Sequence, residues 1–227
     1  MLDRWNNVLV VSAHPDDEVI GAGGTLALLS DRHATIHAIT LTQGAEGYSN
    51  PEDAGRIVGL REQETYESDR ILGITHRIVP EPVRPEWLEY QAELVRYCIK
   101  LIRQIKPDVI FTHFWKDSHR DHRVVAQVVL DAWRRAVGSL GSLGAPWRTP
   151  ELLFYETTEL FTKPSLIVNV SSTIKRKISA LEAHRSQIQS HDAMIWYVQG
   201  LAQVRGASVG SLYGEAFKRS DFMPSVL

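Results

Sequence analysis

The sequence predicts an α/β fold built on a mostly parallel central sheet, and two observations carry that prediction. Short apolar runs of strand length alternate along the chain with helical patterns of about ten to twenty residues, which calls for right-handed crossovers between parallel strands. The first run, Val8 to Ser12, is continuously apolar and then stops at the polar cluster His14-Pro15-Asp16-Asp17. A strand covered on both faces looks like this as it leaves a sheet.

The elements follow in order. Strands are expected at Val8–Ser12, Thr35–Leu41, His76–Val79, Val109–His113, Leu152–Glu156 and Leu166–Val170. After the first strand come Gly21, Gly23 and Gly24, then Leu26, Leu28 and Leu29, so the chain turns directly into a helix at Glu18–Ser30. Further helices are expected at Glu52–Leu72, Glu86–Ile105, His122–Val137 and Ser172–Gln189. Within the third of these, Leu94, Val95, Cys98, Leu101 and Ile102 recur at helical spacing, and Lys106-Pro107-Asp108 ends it. Gln43–Pro51 and Gly138–Pro150 carry the glycines and prolines of loops. Helices on both faces of such a sheet make a Rossmann-like three-layer sandwich, expected as one domain over residues 1–227. The stretch after Gln189 reads equally as short helices or as a cover for a site.

The bulk composition narrows the classes of function. The chain has 227 residues, 44% hydrophobic and 23% charged, as an ordinary globular protein does. A net charge of −2 and a pI near 6.5 give no electrostatic footprint for nucleic acid or an anionic membrane. The one basic run, Lys175-Arg176-Lys177, reads as a solvated helix face. The single cysteine, Cys98, excludes an internal disulfide and a cysteine-rich zinc site, and its helical register makes it a core residue. No stretch reaches the roughly 18–20 apolar residues of a membrane span. A cytoplasmic location is the expectation.

Chemistry concentrates in two clusters. His14 and Asp17 flank Pro15 at the end of the first strand, and His119-Arg120-Asp121-His122 follows the strand Val109–His113. Open α/β sheets bind ligands outside the carboxyl ends of their strands, so both clusters belong to one edge. Catalytic zinc takes three protein ligands of nitrogen and carboxylate oxygen and keeps one position open. Two imidazoles and a carboxylate require one of His119 and His122 to join His14 and Asp17, leaving the other for proton chemistry. Adjacent carboxylates on a tight turn diverge, so one of Asp16 and Asp17 coordinates while its neighbour faces the reacting water. Asp121 suits the holding of one imidazole in a set tautomer.

The two clusters, His14-Pro15-Asp16-Asp17-Glu18 with Gly21, Gly23 and Gly24, and His119-Arg120-Asp121-His122, resemble the paired signatures of the PIG-L (LmbE-like) family. Thr42-Gln43-Gly44 with Glu46-Gly47, Arg61 and Glu64, Lys106-Pro107-Asp108, Ala183-His184-Arg185-Ser186-Gln187 and Gly214-Glu215-Ala216-Phe217 are similar to the family in the same order. The resemblance implies a zinc-dependent N-deacetylase acting on N-acetylglucosamine-containing compounds. It implies His14, Asp17 and His122 as ligands, Asp16 as general base, and His119 as the group that stabilises the oxyanion and protonates the leaving amine. Arg61 and Glu46 become substrate contacts. Iron(II) suits such a site as well as zinc. The partner implied is a small amino-sugar substrate, and a homo-oligomer, hexameric or trimeric, is expected. Where mycothiol-pathway members carry a tyrosine, this chain has Asp117. Competing expectations are an amidase for a larger acyl group on a sugar or thiol conjugate, and a two-metal phosphoesterase using Asp16, Asp17 and Asp121. His113 is read as a non-ligand, His184 and Ser186 as structural residues satisfied by backbone partners, and Trp115 as core.

Overall fold

The computed structural model describes residues 2–45, 47, 52, 55–80, 88–139, 141–188 and 192–220. Seven strands form one sheet: β1 (Asn7–Ser12), β2 (Thr35–Thr40), β3 (His76–Ile78), β4 (Val109–His113), β5 (Glu151–Tyr155), β6 (Leu166–Asn169) and β7 (Gly214–Arg219). Their order is β3-β2-β1-β4-β5-β7-β6. The first five run parallel to one another, and β7 pairs antiparallel with both β5 and β6. The helices are α1 (Asp17–Asp31), α2 (Ile57–Leu72), α3 (Ala92–Ile105), α4 (Arg120–Arg135), α5 (Ile174–Ala183), the short α6 (Arg185–Ile188) and α7 (Asp192–Ala207).

Strand alternation sorts β1 between two cores. Val8 and Val10 pack with Ala22, Leu26 and Leu29 of α1, while Leu9 and Val11 pack with α3 and α4 through Leu94, Cys98, Ile102, Val125 and Val129. Each fully buried side chain of this kind contributes about 1.5–3 kcal/mol, which is why both faces of the strand are apolar. The helices α1, α2 and α5 pack against one another on the first face, and α3 pairs with α4 on the second. This is the three-layer sandwich expected, with Cys98 buried in it.

The chain leaves β1 toward β2 and, after β3, returns to β4 on the other side of β1. That reversal places the switch point of the sheet between β1 and β4, where a crevice opens at the strands' carboxyl ends. Close packing reaches that crevice: a Cβ on Gly21 would lie 2.2 Å from Cδ2 of Tyr155, so α1 approaches β5 as closely as backbone allows.

Several expectations need revision. The helix expected from Glu86 begins at Ala92, because residues 88–91 are not helical and 86–87 lie outside the described residues. The helix expected through Gln189 breaks at His184, whose ψ of 58° ends α5 before α6 begins. The run Lys175-Arg176-Lys177 is not a solvated face. Lys177 is buried against Glu215, and Arg176 donates to carbonyls of Ile71 and Leu72. The strand β7 is not among the expected strands, and the stretch after Gln189, read as short helices or as a cover for a site, forms the single long helix α7, whose Met194 and Tyr197 border a cavity. Among the described residues no helix is long and apolar enough to cross a membrane.

Candidate metal-dependent active site

The site grows from two strand ends. At the end of β1, Ala13 and His14 lead into Asp16, whose backbone takes φ 107° and ψ −28° at the N-cap of α1. Such a conformation costs a residue other than glycine about 1–3 kcal/mol and persists where the surroundings enforce it. It swings Asp16 away from Asp17, which begins the helix and faces the strand ends. Next door, β4 ends in His113. The Phe114–Asp117 turn follows, and His119 caps α4, its Nδ1 accepting the Asp121 N–H at 3.3 Å. That bond places the imidazole proton of His119 on Nε2.

Asp17 is the hub. Its Oδ2 lies 3.2 Å from Nδ1 of His14 and 3.2 Å from Nε2 of His113, and its Oδ1 lies 3.2 Å from Nε2 of His122. The expected ligands His14, Asp17 and His122 therefore converge. Two groups of three offer donor atoms within 4.8 Å of one another: His14, His119 and His122, and Asp17, His113 and His122. Imidazole nitrogens around one buried carboxylate at a helix N-terminus are a donor set that fits a divalent metal of the zinc class. Nδ1 of His113 is buried without a partner among the described residues, and its ring stacks on His122 with centroids 3.9 Å apart. Read as a bystander from the sequence, His113 floors the donor cluster. Its other nitrogen accepts the Ala13 N–H at 3.0 Å.

Asp117, which the sequence marks only as a departure from part of the family, supports both histidines of the second cluster. Its Oδ1 accepts from Nδ1 of His122 at 3.0 Å and from the His119 N–H at 2.8 Å, and its Oδ2 accepts from Thr157 Oγ1 at 2.9 Å. It fixes the tautomer that points Nε2 of His122 at Asp17, as carboxylates behind metal-binding histidines do. The signal was present in its position two residues before His119. Asp121 holds a different imidazole, with its Oδ2 3.4 Å from Nε2 of His14.

The charges follow this geometry. Burial pushes the Asp16 carboxyl up to about 7 against the opposing pull of Arg61, and Asp17 adds to the rise. Burial also works on Asp17, but His122, His113 and His14 hold it well below the usual carboxylate range. Burial disfavours the cation on His122 and His14, yet Asp17 outweighs it and lifts them to about 10 and about 9. Burial holds His113 down to about 4, and burial with His122 and His14 lowers His119. Two neighbouring carboxyls are thus driven apart, one toward neutrality and one toward permanent charge.

A cavity of about 630 Å³ opens over the cluster, bordered by His14, Asp16, Asp17, His119, Asp121 and His122, with Arg61 and Gln187 on one wall and Met194 and Tyr197 on another. Arg61 is buried. It donates to Pro15 O at 2.6 Å, Gly44 O at 3.2 Å and Asp16 Oδ2 at 3.3 Å, so it ties the loop after β2 to the Asp16 turn. Glu46 lies outside the described residues. Ser186 donates to the Glu64 carboxylate from its backbone and its hydroxyl, both at 2.7 Å, and not to backbone as expected. Neither ring nitrogen of buried His184 has a partner among the described residues, which corrects the expectation of backbone satisfaction. Trp115 packs against Phe154 at the edge of the core.

A carboxylate–histidine cluster at the switch point of a parallel sheet, beside a second carboxyl near neutrality, defines the class of metal-dependent enzymes. The family described as PIG-L, GlcNAc-PI de-N-acetylase, matches residues 9–133, and the chain belongs to it. The diacetylchitobiose deacetylase of Thermococcus kodakarensis is 27% identical, over 96% of this chain and 84% of its own. The structure of N,N'-diacetylchitobiose deacetylase from Pyrococcus horikoshii, complexed with its inhibitor MPG, superposes with a TM-score of 0.82 at 27% identity, covering 95% of this chain and 84% of that one. GalB, the 4-carboxy-2-hydroxymuconate hydratase of Pseudomonas putida KT2440, has a TM-score of 0.79 at 20% identity over 97% of each chain. That last likeness concerns the fold alone and shows why function has to be argued from the site.

Proposed function

We propose that this chain removes the N-acetyl group from an N-acetylglucosamine-type sugar or conjugate, releasing acetate and a free amine. The observation that carries the reading is the convergence of His14, Asp17 and His122 in the cavity that Asp16 and His119 also border. Relatives that act on N-acetylated sugars support the substrate class. His14, Asp17 and His122 would hold the ion, zinc in the first instance and iron(II) as the alternative. Bound there, the ion supplies Lewis acidity toward the amide carbonyl and the attacking water.

The chain's own groups do the rest. Asp16 takes the proton from water as its oxygen attacks the acetamide carbon, a role suited to a carboxyl poised near neutral pH. His119 presents Nε2–H to the developing oxyanion, a contact of a type worth about 3 kcal/mol. The C–N bond then breaks, the proton passes to the departing amine by way of Asp16 or His119, and acetate is left. Asp117 keeps His122 aligned throughout and Arg61 keeps Asp16 at the cavity wall; Arg61 is taken as a substrate contact, as is Glu46, which lies outside the described residues. The two-metal alternative is disfavoured: both groups of three donors among the described residues share His122, so one imidazole would serve two ions.

The reading extends to one domain over the whole chain and to a homo-oligomer. Trp196, Val204 and Leu212, respectively 69%, 63% and 75% exposed, lie on and just beyond α7 and are large apolar side chains that association would bury. The substrate assay compares N-acetyl with N-butyryl and longer N-acyl glucosamine glycosides. Turnover that falls as the acyl group grows supports the deacetylase. Turnover restricted to the longer acyl groups replaces it with the larger-acyl amidase.

A further inference from the structure

Helix α1 carries Asp17 in its first turn, and one and a half turns further on it is gripped by a buried ion pair. Lys177 of α5 and Glu215 of β7 meet at 2.6 Å, with both side chains almost entirely buried. The pair also takes hold of the helix backbone. Nζ of Lys177 donates to the carbonyl of Ile20 at 2.7 Å. The Gly24 N–H donates to Oε1 of Glu215 at 2.8 Å, and the Thr25 N–H donates to its Oε2 at 2.7 Å. Ile20 and Gly24 are the two ends of one i→i+4 step of the helix. Side chains inserted into that ladder are a recognised cause of a change in helix direction. Thr173 completes the grip by donating to the Gly24 carbonyl at 2.7 Å. Gly24 permits it, since a Cβ there would lie 2.8 Å from Cβ of Val170 and 3.1 Å from Oε1 of Glu215.

We propose that the Lys177–Glu215 pair is a positioning device for the metal site: by fixing the ladder of α1 at Ile20 and Gly24 it sets the reach of the Asp17 carboxylate toward His14 and His122. A buried ion pair is weak evidence for stability as such, because an apolar pair of similar volume serves stability as well or better. What an apolar pair does not offer is a donor for Ile20 O and a two-oxygen acceptor for the N–H groups of Gly24 and Thr25. Asp17 stands 3.2 Å from three imidazole nitrogens at once, and a ligand arrangement of that kind tolerates only about 0.5 Å of drift.

The inference rests on the metal reading of the site, and its test is zinc affinity, which needs no turnover. Wild type, Glu215→Gln and Lys177→Met are titrated with zinc in competition with a chromogenic chelator, with folding checked by circular dichroism. Arg103→Met serves as the control. Arg103 is buried in α3 and donates to the carbonyls of Ala136, Gly138 and Gly144, on the face of the sheet away from α1. The expected result is at least a tenfold loss of zinc affinity in Glu215→Gln and Lys177→Met, with Arg103→Met lowering Tm but binding zinc within twofold of wild type. Should a single variant fail to fold, the neutral pair Glu215→Gln with Lys177→Met, which leaves no unpaired charge, carries the same expectation. Zinc affinity within twofold of wild type in a folded variant overturns the inference and leaves the metal site standing. Absence of zinc binding by wild type overturns both.

Discussion

Asp16 combines a left-handed backbone with a buried carboxyl, and both cost stability in the service of its position. Replacing it by Asn keeps the shape and an acceptor for Arg61 while removing the ionisation. Raising a carboxyl from 3.8 to about 7 means that the folded protein holds a proton the unfolded chain has released. Folding is therefore penalised progressively as pH rises from 3.8 to 7, by about 4 kcal/mol in all. At pH 5 less than half of this is in force, and at pH 8 all of it, so the penalty grows by about 3 kcal/mol between the two. Asn carries no such penalty. In chelator-treated protein, urea unfolding should show Asp16→Asn gaining stability over wild type by about 3 kcal/mol more at pH 8 than at pH 5. The same variant should lose about 10²–10⁴-fold in kcat once metal is restored. A stability difference that is the same at both pH values, or that moves against Asn as pH rises, would refute the reasoning.

Other outcomes follow from the same geometry. Asp117→Asn should weaken zinc binding about 10–100-fold in chelator competition, since it loosens the hold on Nδ1 of His122; unchanged affinity would remove Asp117 from the site. His119→Ala should lower kcat about 10²–10³-fold with little change in KM, because its Nε2–H is used in the transition state; a rise in KM alone would make it a binding residue. Burial lowers His184 from 6.5 to about 4, so the unfolded chain binds a proton there that the folded protein refuses. The stability His184 permits is fully present above pH 6.5 and is lost as pH falls toward 4, by about 3 kcal/mol. Unfolding of wild type and His184→Gln at pH 6.5 and pH 4 should show wild type losing that much relative to the variant, and parallel behaviour would contradict it.

The sequence carried the site further than it carried the periphery. The two clusters that carry His14, Asp17, His119 and His122 were legible because strand ends announce themselves as apolar runs cut short, and β1 and β4 prove to be neighbours; spacing alone left His119 and His122 equivalent, and only the family resemblance separated their roles. The second half of the sheet was harder. The strand β7 reads Gly-Glu-Ala-Phe-Lys-Arg, with no apolar run to mark it, and its antiparallel pairing arises from contacts between residues far apart in the chain. Lys177 looked like part of a charged helix face because periodicity records polarity and not partners, and its partner lies 38 residues on. Asp117 was noticed only as the place where another branch of the family has tyrosine. Its role depends on the turn that folds it back beneath His122, and spacing alone does not encode that turn. The break at His184 was hidden for a related reason, since no glycine or proline marks it.

The most direct measurement is acetate release from N-acetylglucosamine glycosides by protein stripped of metal and then titrated with zinc or iron(II), run beside Asp16→Asn. Acetate and free amine appearing in equal amounts, with activity rising to a plateau near one ion per chain in wild type and lowered at least about a hundredfold in the variant, is the result predicted. Acetate release that is indifferent to metal, or that is undiminished in Asp16→Asn, would contradict the assignment of this site.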